Sequence, residues 1–173
     1  MSKSALPDVE QLLAALAAQM RPQVTPETGL IGIVTGGAWL AERLHAALAL
    51  KVPHGALDVS FYRDDFKRKG LKRKVVPSDI PFEVDGRDLI LVDDVLHTGR
   101  TIRAAMNELF DYGRPARIRL AALVDRGGRE LPIAAQFVGA TLEVPASQSV
   151  GLERDEHGKL RLVLEAKKAE RAR

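Results

Sequence analysis

The chain has 173 residues, which suits one domain with a sizeable core. No apolar run reaches the roughly 18 residues of a membrane span, and the N-terminus lacks an apolar stretch of signal-peptide length, so no membrane partner is expected. Cysteine is absent, which excludes disulfides and thiolate metal sites and agrees with a cytoplasmic protein; a net charge of +3 permits nucleic-acid contact without requiring it.

Pro7 and Asp8 start a helix expected to run to about Met20, with Val9, Leu12, Leu13 and Leu16 at helical spacing. Pro22 and Pro26 end it. Gly29 to Thr35 reads as a buried strand on Leu30, Ile31, Ile33 and Val34, closing in Thr35-Gly36-Gly37. A second helix is expected from about Ala38 to Leu50, with Leu40, Leu44 and Leu48 inward. Taken alone, Gly36-Gly37 reads as a plain strand-to-helix turn.

Ala56 to Tyr62 reads as a strand. The composition then changes: Arg63, Lys67, Arg68, Lys69, Lys72, Arg73 and Lys74 stand against Asp64 and Asp65, a pattern usual in a solvated loop or hairpin. Pro77 and Pro81 frame a connector, and Asp85-Gly86 makes a turn.

The stretch that organises the chain is Leu89 to Thr101. Leu89, Ile90, Leu91 and Val92 form a buried strand that ends in two carboxylates, Asp93 and Asp94. A small-residue turn leads into a helix from Arg100 to Phe110, with Ile102, Met106 and Leu109 on one face. Open α/β sheets bind ligands at the C-terminal ends of their strands. A turn entering a helix aims backbone N–H groups at an anion, and Gly99 allows close approach while Thr98 and Thr101 add hydroxyl donors. Ionised carboxylates only accept hydrogen bonds, so the acidic pair suits the hydroxyls of a diol and the turn suits a phosphate. Together they describe a site for a sugar phosphate. The simpler alternative, that the two acids merely cap the helix, accounts for less of the pattern. Two strand–glycine turn–helix units can also face each other across one ligand, which gives Thr35-Gly36-Gly37 a reason beyond chain reversal.

Ala116 to Val124 reads as the next strand, followed by a glycine turn, Asp125-Arg126-Gly127-Gly128-Arg129-Glu130. Gln136 to Val144 is expected to be a further strand. Val150-Gly151-Leu152 and Leu160 to Leu164 make a hairpin around Glu156-His157-Gly158-Lys159. Residues from Ala166 to Arg173 are polar and expected to fray. Strands alternating with helices predict an α/β fold: a doubly wound, mainly parallel sheet flanked by helices. The whole of 1–173 reads as one domain, in which the N-terminal helix and the late strands form a small hood.

The Asp-Asp and Thr-Gly-Arg-Thr signature resembles that of the type I phosphoribosyltransferases, which use 5-phosphoribosyl 1-pyrophosphate (PRPP). Phe61 to Asp65, Val92 to Thr101, Gly113-Arg114-Pro115 and Val124 to Ile133 resemble, more narrowly, the PyrR family of pyrimidine-operon regulators and uracil phosphoribosyltransferases. The resemblance spans roughly Gly29 to Leu142. It implies a reaction of uracil with PRPP to give UMP and pyrophosphate, with Mg²⁺ accompanying PRPP and no protein metal ligand singled out. It implies that Asp93 and Asp94 hold the ribose and stabilise developing oxocarbenium charge. Val95, Leu96, His97, Thr98, Gly99, Arg100 and Thr101 would surround the 5′-phosphate; Thr35, Gly36, Gly37 and Arg63 would meet the pyrophosphate. The basic segment after Arg63 would be a loop closing over the site, and Asp125, Arg126 and Gly127 would border the nucleobase.

The same resemblance implies a homo-oligomer and UMP-responsive regulation through an mRNA leader, with Arg114, Arg117, Arg119, Arg126 and Arg129 as basic residues on offer. Two departures stand out. Many relatives carry a basic residue around the Thr-Gly turn, where this chain has Val34 and Gly36. RNA-binding relatives carry basic residues after Leu-Pro-Ile, where this chain has Ala134 and Ala140. A nucleotide-sensing regulator without catalysis, and a purine phosphoribosyltransferase, are the alternatives.

Overall fold

Near-continuous apolar runs along the central strands set the architecture. The computed structural model describes residues 6–60 and 77–167. Strands β1 (Gly29–Ile33), β2 (Gly55–Leu57), β3 (Asp88–Leu96), β4 (Arg117–Asp125) and β5 (Phe137–Thr141) form one parallel sheet in the order β2-β1-β3-β4-β5. Leu30, Ile90, Val92, Ala121 and Leu123 point to one face, which α1 (Val9–Met20) and α2 (Gly36–Leu48) cover. Ile31, Ile33, Leu89, Leu91, Leu120 and Ala122 point to the other, covered by α3 (Arg100–Leu109). Successive residues of a strand face opposite ways, so a sheet buried on both sides needs apolar residues at nearly every position. The chain winds outward from β1 to β2, then returns to lay β3 on the other side of β1. The strand order therefore reverses between β1 and β3, which is where a doubly wound sheet opens a crevice at its C-terminal edge.

Helix α1 begins where expected. Asp8 is its N-cap and accepts from Gln11 N at 3.1 Å, and the helix gives way to a 3-10 turn, Arg21–Gln23, at Pro22. Its apolar face, Val9, Leu12, Leu13, Leu16, Ala17 and Met20, lies in the same core as α2. Gln19 Nε2 also donates to Val138 O of β5 at 2.9 Å.

Several boundaries differ from expectation: β1, for one, ends at Ile33 where Thr35 was expected, as the chain turns through Val34 and Thr35 into α2. Helix α2 starts at Gly36, not Ala38, and ends at Leu48; its first turn presses on β3, which only residues without a Cβ permit. Strand β3 runs on through both carboxylates to Leu96, because β4 continues beside it and pairs Asp93 with Ala122, Val95 with Val124 and Leu96 with Asp125. Strand β2 stops at Leu57: Ser60 N turns back to Asp58 Oδ1 at 2.9 Å, and Asp58 N donates to Ser78 Oγ at 2.9 Å. Tyr62, and the basic segment from Arg63 to Lys74, lie outside the described residues.

Strand β5 ends at Thr141, which pairs with Asp125, the last residue of β4; beyond it no neighbouring strand continues among the described residues. The C-terminal hairpin, β6 (Gln148–Arg154) and β7 (Leu160–Ala166), is antiparallel. Asp155 organises its turn, accepting from His157 N and Lys159 N at 2.9 Å each. Val150, Leu160 and Leu162 carry the hairpin into the core shared with α1 and α2. Ala166, expected to fray, is paired with Gln148 as the last residue of β7.

Candidate active site

The crevice between β1 and β3 brings together the two strand-to-helix turns that the sequence singles out. On the β1 side the chain passes through a cis peptide at Val34–Thr35 and enters α2 at Gly36. A Cβ placed on Gly36 would sit 2.5 Å from Asp94 Oδ2 and 2.8 Å from its carboxyl carbon. Glycine is required there by contact, not by backbone conformation, and the contact shows how closely the first turn of α2 abuts the acidic pair.

On the β3 side the two carboxylates are held differently. Asp93 is buried and accepts from Asp94 N at 3.0 Å; Asp94 is half-buried and accepts from Val95 N at 2.9 Å. Consecutive residues of a strand point to opposite faces, so the two carboxylates leave β3 in different directions. Asp94 is the one that faces Gly36.

After Leu96 the chain makes the turn His97-Thr98-Gly99 and enters α3. Gly99 has φ 92°, and a Cβ on it would lie 2.9 Å from Ile133 Cγ1. Both its conformation and its neighbour therefore require glycine. Thr98 Oγ1 accepts from Arg100 N at 3.2 Å, and the N-cap residue, Gly99, has no side chain to cap the first turn of α3. Beyond that bond, the helix dipole and the first-turn N–H groups make such a helix start favourable for an anion. Val95, His97, Thr98 and Thr101 are half-buried around it, Leu96 and Gly99 are buried, and Arg100 is exposed with its Nε 2.7 Å from Glu130 Oε2. Arg63 lies outside the described residues.

The third turn, after β4, closes the far side. Asp125 Oδ1 accepts from Gly127 N at 2.9 Å, and Asp125 Oδ2 pairs with Arg129. Burial by itself would raise the Asp125 carboxyl; the Arg129 hydrogen bond, the Gly127 N–H and the Arg129 charge outweigh it and hold the group below the ordinary carboxylate range. Gly127 O in turn accepts from His97 Nδ1 at 2.8 Å. Asp125 and Gly127 thus have their polar groups engaged within the protein. Arg126 is half-buried, and its Nε is buried without a partner among the described residues.

Sequence reasoning did not single out how the third turn is tied to the phosphate-type turn. Arg129 reads as one more surface cation, yet its guanidinium is spent on Asp125, His97 O and Ile133 O. The available signal was an acid and a base flanking the two turn glycines, Asp125 and Arg129. Arg117 and Arg119 are likewise engaged, both bonded to Asp88 at the opposite end of β4. Arg119 is buried and also lies 5.5 Å over the Phe137 ring. Strand β4, roughly 26 Å long, has Arg117 and Arg119 at its start and Arg126 and Arg129 beyond its end, so these four do not gather into one basic face.

No group of three or more His, Asp or Glu residues able to hold a metal occurs among the described residues. The donors present, the hard carboxylate oxygens of Asp93 and Asp94, fit Mg²⁺, which is commonly bound through one or two carboxylates together with substrate phosphates. No helix of the described residues is long and apolar enough to cross a membrane.

An acidic strand end facing a glycine turn, beside a helix that starts at a second glycine turn, at the switch point of a parallel sheet, is the architecture of a phosphoribosyltransferase. Residues 4–155 match the phosphoribosyl transferase domain family. Solved structures agree on the fold. A hypoxanthine-guanine phosphoribosyltransferase from Bacillus anthracis superposes with a TM-score of 0.65 at 22% identity, over 83% of this chain and 86% of that one. A purine phosphoribosyltransferase from Pyrococcus horikoshii gives 0.61 at 25% identity, over 78% and 84%.

Within that class the chain belongs to the PyrR family. The bifunctional protein PyrR of Pseudomonas fluorescens is 52% identical over 144 residues, covering 83% of this chain and 86% of the relative. That of Ralstonia nicotianae is 49% identical over 155 residues, covering 87% and 88%.

Proposed function

We propose that this phosphoribosyltransferase joins uracil to PRPP, giving UMP and pyrophosphate, and that it also serves as a UMP-responsive regulator of pyrimidine genes through an mRNA leader. The observation that carries the catalytic reading is the contact of Gly36 with Asp94, next to the start of α3 at Gly99. One ligand with a pyrophosphate, a diol and a terminal phosphate spans those three features. Uracil N1 gives up its proton to the departing pyrophosphate and bonds to the ribose C1, while the bond from C1 to the pyrophosphate oxygen breaks and its electron pair leaves with that group.

In this reading Asp94 and Asp93 hold the ribose hydroxyls, and a carboxylate beside the sugar stabilises the positive charge that grows on it. Thr98, Thr101 and the backbone from Val95 to Arg100 hold the 5′-phosphate. Thr35, Gly36 and Gly37 approach the pyrophosphate, with Arg63 as its cation. Asp93 and Asp94 are the residues that would hold Mg²⁺ accompanying PRPP, which when bound would offset leaving-group charge. Asp125, Arg126 and Gly127 border the base; Asp125 and Gly127 shape the turn, which leaves Arg126 as the side chain best suited to contact uracil. His97 keeps the phosphate turn in place through its ring. A cytoplasmic setting, which holds both PRPP and mRNA, fits both activities.

Pyrophosphate release measured over a panel of bases tests the assignment. Turnover with uracil and little with hypoxanthine, guanine or adenine is expected. Preference for a purine would replace the reading with a purine transferase, and no turnover with any base would leave a binding-only regulator.

A further inference from the structure

The phosphate-type turn and the nucleobase-side turn are not two independent loops. Arg126 N donates to Leu96 O at 3.0 Å, and Glu130 N and Leu131 N both donate to Thr98 O, at 3.0 and 3.1 Å. Arg100 pairs with Glu130 at 2.7 Å, and His97 Nδ1 donates to Gly127 O at 2.8 Å. Packing is equally close. A Cβ on Gly128 would fall 2.6 Å from His97 Cε1, and one on Gly99 would fall 2.9 Å from Ile133.

One side chain ties both ends of this latch. Arg129 Nε donates to Ile133 O at 2.8 Å, one terminal nitrogen donates to His97 O at 2.8 Å, and the other pairs with Asp125. All three guanidinium nitrogens are engaged, on three acceptors that belong to both loops. We propose that Arg129 is a positioning residue that makes the 5′-phosphate turn and the nucleobase turn move as one body, so that occupancy of either site orders the other. The inference rests on the proposed reading of the crevice as a ribose-phosphate site bordered by a base site. The planar fork matters as much as the charge, because an ammonium cannot address three acceptors in fixed directions. The coupling requires no change of fold: a ligand that fixes one loop lowers the ordering cost for a ligand at the other.

The test has two arms. In the wild-type protein, ribose 5-phosphate is added and amide hydrogen exchange is followed. Slowed exchange at Arg126, Glu130 and Leu131, along with the turn at Thr98 to Thr101, is expected. Protection confined to Thr98 to Thr101 would overturn the coupling, whereas no protection anywhere would instead overturn the ribose-phosphate reading of the crevice.

In the second arm, Arg129→Lys and Arg129→Met are assayed for KM of both substrates and for kcat, at temperatures well below each variant's melting transition. Both KM values should rise about tenfold in both variants, with lysine giving no rescue. A variant with lower Tm but wild-type KM values would reduce Arg129 to a stabilising residue. A change in one KM only, rescued by lysine, would make it a direct ligand contact and overturn the proposal. Asp125→Asn serves as a milder variant if those two fail to fold, with the same expectation for both KM values.

Discussion

Gly36→Ala tests the site through a contact that the structure measures directly. The added methyl would lie 2.5, 2.8 and 3.0 Å from Oδ2, Cγ and Cβ of Asp94. Favourable separations between such atoms begin near 3.5 Å, so the Asp94 carboxylate or the first turn of α2 must retreat by roughly 1 Å. A misplacement of that size costs on the order of 100-fold in rate, or about 2.7 kcal/mol at the transition state. Stability should change much less. Gly36 lies in a helix, where alanine is favoured by up to about 1 kcal/mol, and this offsets part of the overpacking strain. For a domain of this size Tm should fall by no more than about 5 °C.

Gly86→Ala is the control. Gly86 has φ 68°, and no described atom lies within 4 Å of the place a methyl would take, so alanine there is strained but meets no neighbour. It should cost about 1 kcal/mol of stability and leave turnover unchanged. The assay is pyrophosphate release with uracil and PRPP, paired with thermal melting of both variants. A folded Gly36→Ala protein with kcat/KM within about threefold of wild type would refute the reasoning, because it would show that the Asp94 carboxylate is not needed where it stands.

Asp94→Asn keeps the shape and removes the charge; turnover should fall at least about tenfold with little change in Tm, and an unchanged rate in a folded Asp93→Asn/Asp94→Asn double variant would remove the pair from the reaction. Asp88→Ala strips a buried Arg119 of its carboxylate, so urea unfolding should show a loss of about 3 kcal/mol with kcat/KM unchanged; a loss below about 1 kcal/mol would mean that Arg119 finds other support. The Asp125 carboxyl is held below its ordinary value in the folded protein, so its contribution is present above the unfolded-state value of about 3.9 and is lost as pH falls through the lower, folded value. Acid unfolding of Asp125→Asn should therefore depend less steeply on pH below about 4 than that of wild type, and identical profiles would show that the Asp125–Arg129 pair contributes nothing there. Binding to a pyrimidine-leader RNA hairpin should be measurable at low salt, fall steeply as salt is added and rise with UMP; selective binding that persists at physiological salt would show that the split arginines are supplemented by other contacts.

The turns that make up the candidate site were legible in the chain because their signals are local. A four-residue apolar run ending in Asp93-Asp94, and a turn with Gly99 between two threonines, each mark a strand end or helix start within a dozen residues. The helix start at Asp8, the hairpin turn around Gly158 and the alternation of strands with helices are equally local, since caps, turn glycines and periodicity act over a few residues. What the neighbours decided is different in kind. Whether β3 stopped at Val92 or carried its carboxylates inside the strand depended on β4 running alongside, residues away in sequence. That Gly36 and Gly37 belong to a helix depended on the surface of β3 against them, since glycine by propensity argues for a turn. The arginines show the limit most clearly. Arg117, Arg119, Arg126 and Arg129 look alike in the sequence, but a charge finds its partner through space. Asp88 claims the first two and Asp125 claims the last, and only the folded chain distinguishes a cation free to meet a ligand from one spent on holding two loops together.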